Sequence, residues 1–300
     1  MLYEINDNHI NYFFDPAIRP VLAIKPGDSV RFETKDALTN VLEKQSDSLE
    51  NSNFDKNRVN PVTGPVFVEG AEPGDIIEIT INKIEFKHRA VITCQAGYGV
   101  IGKYFEKTTH RVTPIKDGKI LFDGKLEIPL APMIGVLGTT PVEKIRSEYI
   151  GPHGGNMDNT MMREGASLYL PVFLPGALVA TGDVHAAMGD GEINCSAIEA
   201  PAFVTLTMNI RKDLKINHPI LVDRDNFSIV VSKPTMDEAM KTSIEEMALI
   251  LRDRLDAPFD DISMLLSAVG NAQICQCVSP LMTARYVMPR YVLDTYGFNF

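Results

Sequence analysis

The feature of this 300-residue chain that most limits its fold is a hydrophobic period of two. In DSVRFET, residues 28–34, Val30 and Phe32 alternate with Ser29, Arg31 and Glu33. DIIEITINKIEF, residues 75–86, sets Ile77, Ile79 and Ile81 against Glu78, Thr80 and Asn82, and PAFVTLTMNI repeats the pattern with Val204, Leu206 and Met208. Successive side chains of a strand point to opposite faces, so each segment reads as a strand with one face on a core. The 21 glycines and 19 prolines fall in short clusters between such segments, as turns require. The expectation is a mainly β protein. Helical spacing is confined to 235–270, where Met240, Ile244, Met247, Leu251 and Leu255 recur every three or four residues. Thr235 with Glu238 makes a capping-box start. A second short helix carries Ile262, Leu265, Leu266 and Val269 and is expected to stop at a left-handed Gly270. Both apolar stripes are read as core packing.

Composition then removes whole classes of function. Lys and Arg number 29 against 39 Asp and Glu, a formal charge of −10 that repels phosphate backbones and anionic membrane surfaces. No run approaches the roughly 18 apolar residues of a membrane span. Nucleic acid and membrane are excluded as expected partners. The opening MLYEINDNHI lacks the basic flank and apolar centre of a signal peptide, so a cytoplasmic location is expected. Cys94, Cys195, Cys275 and Cys277 form no CxxC pair and are expected as reduced thiols. At roughly 150 residues per domain the length allows about two domains or one large β-rich unit. The polar stretch 43–60 reads as a long loop, either the wall of a site or a disordered insert.

Three segments gather glycine, histidine and carboxylates beyond what packing needs. NPVTGPVFVEGAEPGD, residues 60–75, surrounds a short strand with turns and ends it at Glu69, a candidate partly buried acid or an ordinary strand-end residue. GPHGGNMDNTMMREG, residues 151–165, places Gly154 and Gly155 directly after His153, with Asn156, Asp158 and Asn159 supplying oxygens. Such a loop suits a metal or an oxyanion. GDVHAAMGDGE, residues 182–192, follows a long apolar run, so Asp183 and His185 fall at i and i+2 of a strand and share a face. A carboxylate beside an imidazole gives two ligands of a zinc-like site, or a base with its orienting partner. The turn Gly189, Asp190, Gly191 then presents Glu192. His9, His88, His110 and His218 sit in ordinary polar contexts. No GxSxG elbow, P-loop, HExxH or dinucleotide fingerprint occurs, and the cysteines read as inert thiols rather than nucleophiles.

Taken together and in this order, NPVTGPVFVEGAEPGD, GPHGGNMD and GDVHAAMGDGE closely resemble the acetamidase/formamidase family. KPGDSVRFETKDA near the start and VSPLMTARYVMPRYVL near the end extend the resemblance over nearly the whole chain. It departs from the family's pattern at Ala37 and Leu38 and in NAQICQCV, residues 271–278, which leaves substrate choice open. The resemblance implies a β-sandwich-like part joined to a small β-barrel, with a minor α+β portion holding the 235–270 helices. It implies one family unit over 1–300, with a β-rich part over 1–150 and a β-plus-helical part over 151–300, and usually a homo-oligomer, a dimer or larger. The activity implied is hydrolysis of short linear amides such as formamide or acetamide to ammonia and a carboxylic acid.

Carried over position by position, the resemblance points to Asp36, Glu69, His153, Asp158, Asp183, His185 and Glu192. Metal ions accompany some family members, so a divalent metal is expected, zinc first and calcium second. Asp36, His153, Asp183 and His185 are its expected ligands. Glu192 or Glu69 would carry the proton from water to the leaving nitrogen, and Gly154, Gly155 and Asn156 would contact the substrate. The competing expectation is a non-catalytic β-sandwich or barrel that uses the same cluster to bind a metal or small ligand.

Overall fold

In a computed structural model of the chain, residues 1–49, 52, 54–55 and 57–297 are described. The expected alternation becomes strands. Ser29–Glu33 buries Val30 and Phe32, and Ala202–Arg211 buries Val204, Leu206 and Met208. Ile76–Phe86 buries Ile77, Ile79 and Ile81 until a bulge against Ala202–Arg211 resets the alternation, and Ile84 turns inward instead of Lys83.

Two large sheets form. The first has nine strands in the order Leu2–Ile5, Ser29–Glu33, Ala202–Arg211, Ile76–Phe86, Ser167–Pro171, Ile220–Val222, Asn226–Lys233, Met282–Pro289 and Asn271–Gln276. The second has twelve, running from Glu127–Pro129 through Arg89–Cys94, Ile198–Glu199, Val179–Ala187 and Met133–Gly138 to Gly154–Asn156 and Ile150–Gly151. Val62–Val68 branches from it along Val179–Ala187 and carries Ile10–Asn11 and Leu22–Ile24. The main core mixes Phe32, Ile79 and Leu206 of the first sheet with Val66, Ile134, Leu137 and Val184 of the second, which is the packing of a sandwich. Each such side chain removed from water contributes roughly 1.5–3 kcal/mol.

The barrel implied by the resemblance is not found. Among the described residues neither large sheet closes: the first ends on Leu2–Ile5 and Asn271–Gln276, the second on Glu127–Pro129 and Ile150–Gly151. Strands from both halves of the chain interleave, as where Ser29–Glu33 pairs with Ala202–Arg211.

Helices α1 (Met236–Leu255) and α2 (Phe259–Val269) cover one end of the first sheet, with Met247, Leu251, Ile262 and Leu266 against Phe227, Ile229 and Met288. Thr235 caps α1 reciprocally with Glu238 as expected, and Asp256 ends it in the left-handed region. Gly270 differs from expectation. Its φ of −81° is extended, because the chain passes directly from α2 into the strand Asn271–Gln276 and needs no reversal there. No helix among the described residues is long and apolar enough to cross a membrane.

The stretch 43–60 contains no strand or helix among its described residues, and residues 50, 51, 53 and 56 fall outside them. It is anchored all the same. Leu42, Leu49 and Phe54 pack with Leu38, Val91 and Val112, holding the segment against the second sheet.

Candidate active site

The site is built where one strand changes partners. Val179–Ala187 pairs along one edge with Met133–Gly138. Its other edge is shared: residues 179–182 pair with Val62–Val68, whereas His185 and Ala187 pair with Ile198–Glu199. Asp183 lies at the handover with φ of 53°, a left-handed conformation that breaks the simple alternation. His185 stands directly across from Glu199 in the register, and its Nε2 lies 3.1 Å from Glu199 Oε2 and 3.4 Å from Asp183 Oδ1. Asp158, just after the strand Gly154–Asn156 and also left-handed at φ 42°, reaches the same point. Gly135 makes room for both aspartates, since a Cβ there would sit 2.7 Å from Asp158 Oδ1 and 2.7 Å from Asp183 Oδ2. Glu192, at φ 43°, closes the turn from Gly189 and adds a fourth acid. Left-handed backbone costs a non-glycine residue roughly 1–2 kcal/mol, and three such residues converge here.

The electrostatics are those of an anionic pocket in a dry surround. Asp158, Asp183, His185 and Glu199 are all buried, and Glu192 is half-buried. Neither carboxylate near His185 Nε2 meets hydrogen-bond geometry, and that nitrogen, Asp183 Oδ1, Glu199 Oε2 and both Asp158 oxygens have no hydrogen-bond partner. The second oxygens are held from behind: Asn60 Nδ2 donates to Asp183 Oδ2 at 3.0 Å, and the Ala197 N–H donates to Glu199 Oε1 at 2.8 Å. Burial and mutual repulsion push the Asp158 carboxyl up to about 7. Glu199 is likewise pushed up to about 7, chiefly by burial. Glu192 is raised well above the usual carboxylate range by burial and by Asp158. His185 is raised because Glu199 and Asp183 outweigh the burial that would lower it. Four acids around one imidazole cannot all ionise in a low dielectric without protons or a cation between them. Ligand atoms of Asp158, Asp183 and His185 lie within 4.8 Å of one another, as do those of His185, Glu192 and Glu199, so either set could hold a metal ion.

Above the cluster opens a half-enclosed cavity of about 500 Å³. Asp183, Glu192 and Glu199 form its acidic floor; Asn60, Gln95 and Asn156 supply amides; Ala37, Phe54, Val59, Tyr98 and Val278 supply apolar wall. The 43–60 segment is therefore part of the wall through its described residues Phe54, Val59 and Asn60. Cys195 also faces the cavity, but burial pushes its thiol up to about 11.

The structure brings together Asp183, His185, Asp158 and Glu192, with Asn156 on the cavity wall. It does not bring in five others. Asp36 is buried elsewhere with its oxygens engaged: Arg89 Nη1 donates to Oδ2 at 2.8 Å, and the N–H groups of Leu38 and Asn40 donate to Oδ1. His153 lies edge-on to Phe14, and burial lowers its imidazole to about 4, keeping it neutral. Glu69 is exposed at the end of Val62–Val68. Gly154 and Gly155 are spent on packing rather than on a ligand, because a Cβ at either would run into the Leu137 or Tyr149 carbonyl. Sequence reasoning missed Glu199 and Asn60. A lone acid in the apolar run Ala197–Ala202 was the signal for Glu199. Asn60 carries none beyond its place before Pro61.

A cavity that narrows onto buried acids and one imidazole, set between the strands of a rigid β-sandwich, defines a small-molecule site of the enzyme type. The Acetamidase/Formamidase family model matches residues 3–152 and 149–243, and the chain belongs to that family. It is similar over 100% of its length, at 40% identity and a TM-score of 0.97, to 99% of a recombinant predicted acetamidase/formamidase from the thermophile Thermoanaerobacter tengcongensis. Acetamidase from Bacillus halodurans is 37% identical with a TM-score of 0.95, over 98% of this chain and 99% of that one. A putative formamidase of Schizosaccharomyces pombe is 24% identical over 66% of this chain; the match spans 64% of that relative's length, less than two thirds.

Proposed function

We propose that this protein hydrolyses short linear amides to a carboxylate and ammonia, with Asp158, Asp183 and His185 holding a divalent cation, zinc first and calcium second, and Glu199 beside them. The observation that carries this reading is that unpartnered atoms of Asp158, Asp183 and His185 lie within 4.8 Å of one another, beneath a cavity that Asp183 and Glu199 line. The formamidase and acetamidase names of the relatives support the amide class.

An amide resists attack because its carbonyl is weakly electrophilic and its nitrogen leaves only when protonated. The chemistry a divalent cation supplies is polarisation of the carbonyl and ionisation of a water at a pH near about 7. The chain's own groups do the rest. Glu192, raised in pKa and facing the cavity, takes the proton from the attacking water and returns it to the departing nitrogen. Asn156 and Gln95 on the wall present side-chain amides that can pair with the substrate's own amide. Backbone pairing of the two strands sets His185 opposite Glu199, so the two side chains are placed before substrate arrives.

The test is ammonia release from formamide, acetamide and longer linear amides, before and after a chelator. Longer acyl chains belong in the panel, since four heavy atoms fill only roughly 100 Å³ at about 30 Å³ per water-sized group. Loss on stripping and recovery on adding zinc are expected. Full turnover in verified metal-free protein overturns the cation, and silence across the panel by metal-loaded protein overturns the hydrolase in favour of a binding module.

A further inference from the structure

Two arginines are buried among the described residues, Arg89 and Arg285. Arg89 serves Asp36, as above. Arg285 lies on the strand Met282–Pro289 and does not line the cavity over the acidic cluster. Its Nη1 donates to Asn159 Oδ1 at 2.6 Å and to Thr160 Oγ1 at 3.2 Å. Its Nη2 donates to Asp190 Oδ2 at 2.6 Å, and its Nε to Gln273 Oε1 at 2.7 Å. Asn159 follows Asp158 directly, and Asp190 stands two residues before Glu192. One guanidinium thus ties the segment that carries Asp158 to the turn that carries Glu192.

Independent bonds run the same way. Thr160 Oγ1 donates to Asp190 Oδ1 at 2.7 Å, joining the two segments directly. The Gly191 N–H donates to the Cys275 carbonyl at 2.8 Å, and the Cys277 N–H returns a bond to Gly191 at 3.1 Å. The Glu192 turn is therefore docked on the same C-terminal hairpin that supplies Arg285.

We infer that Arg285 is a positioning residue: it fixes the separation of Asp158 from Glu192 and so shapes the cation site and the proton carrier together. The inference rests on the reading of the cluster given under Proposed function. The physical reason is geometric. A planar guanidinium offers donors in a fixed fork, so three nitrogens set four partners at once, whereas an ammonium on a flexible stem cannot match that fork. Burial sharpens the constraint, because an Arg285 displaced from Asp190 would leave a charge in the interior without its counter-charge.

Two variants test this. Arg285→Lys keeps the charge and removes the fork. Asp190→Asn removes the counter-charge from the partly exposed end of the pair and decides the matter if Arg285→Lys does not fold. Zinc affinity is measured by chelator competition, kcat and KM by ammonia release, and folding by thermal melting. Both variants are expected to lose about ten- to a hundredfold in zinc affinity and in kcat, with KM little changed; Asp190→Asn is expected to melt below wild type yet fold, since its amide oxygen can still accept from Arg285 although the counter-charge is gone. Folded variants with wild-type zinc affinity and kcat overturn the inference. A wild type that binds no zinc instead sinks the cation reading, and kcat alone then decides: an unchanged kcat in the variants overturns the role of Arg285.

Discussion

Adding a single methyl group at Gly135 probes the site geometry directly. The new Cβ would lie 2.7 Å from Asp158 Oδ1, 2.7 Å from Asp183 Oδ2 and 2.8 Å from the Asp183 carbonyl oxygen, where ordinary contact begins at 3.4 Å. The flanking residues Ile134 and Val136 are paired with Val184 and Gly182, so the strand cannot retreat and the carboxylates must move by about 0.7 Å. A misplacement of about 1 Å costs roughly a hundredfold, which puts the expected fall in kcat for Gly135→Ala at some tens to a hundredfold. Overpacking costs about 1–3 kcal/mol, partly offset by about 0.4–1 kcal/mol from the stiffer unfolded chain, so the protein stays folded. Ammonia release at saturating amide, alongside calorimetric melting, reads both quantities. Gly189→Ala is the control, since nothing lies within 4 Å of its Cβ, and it should leave kcat near wild type. A folded Gly135→Ala protein with wild-type turnover would refute the convergence of Asp158 and Asp183 on a working site.

Other perturbations separate the remaining roles. Glu192→Gln should keep the fold and lose about a hundred- to ten-thousandfold in kcat; near-normal turnover removes it as the proton carrier. Cys195→Ala should retain turnover and iodoacetamide should leave the enzyme active at neutral pH, because a thiol pushed up to about 11 holds little thiolate; inactivation by either would favour a thiol nucleophile. His153 gives a pH signature through stability. Its imidazole is held down at about 4 in the fold against 6.5 unfolded, with Phe14 and no charged group as its partner. As pH falls through that window the unfolded chain takes the proton first, so stability present above pH 6.5 declines by up to about 3 kcal/mol toward pH 4. Melting of His153→Leu across the same window should show a shallower decline, and an identical slope would exclude His153 as its source.

Much of the fold was legible because strand alternation is local. Val30, Phe32, Ile79 and Leu206 are buried as their spacing requires, and the Thr235 cap needed only four residues of sequence. The nearness of Asp183, His185 and the Glu192 turn was legible because all three fall within the short segment 182–192. Glu199 was not, because it meets His185 through pairing between two strands that no local pattern specifies. Asp36 misled in the opposite sense: the family resemblance carried it over as a metal ligand, yet its carboxylate is taken by Arg89, 53 residues away. The left-handed backbone at Asp183, on which the handover of strand partners depends, is invisible in a run that reads as plain strand.

That handover also bears on how the molecule comes to be active. The cluster draws on Asp158, Asp183 and Glu192, on Glu199 across a strand pair, and on Arg285 from the last hairpin, so the site spans more than 120 residues of chain, the Asn159–Arg285 bond alone linking positions 126 apart. Contacts of such long range form late, after loop closure and sheet pairing. Enzymatic activity should therefore appear only with the final step of folding, and catalysis can serve as a reporter of complete assembly, silent in any intermediate whose C-terminal hairpin has not yet docked.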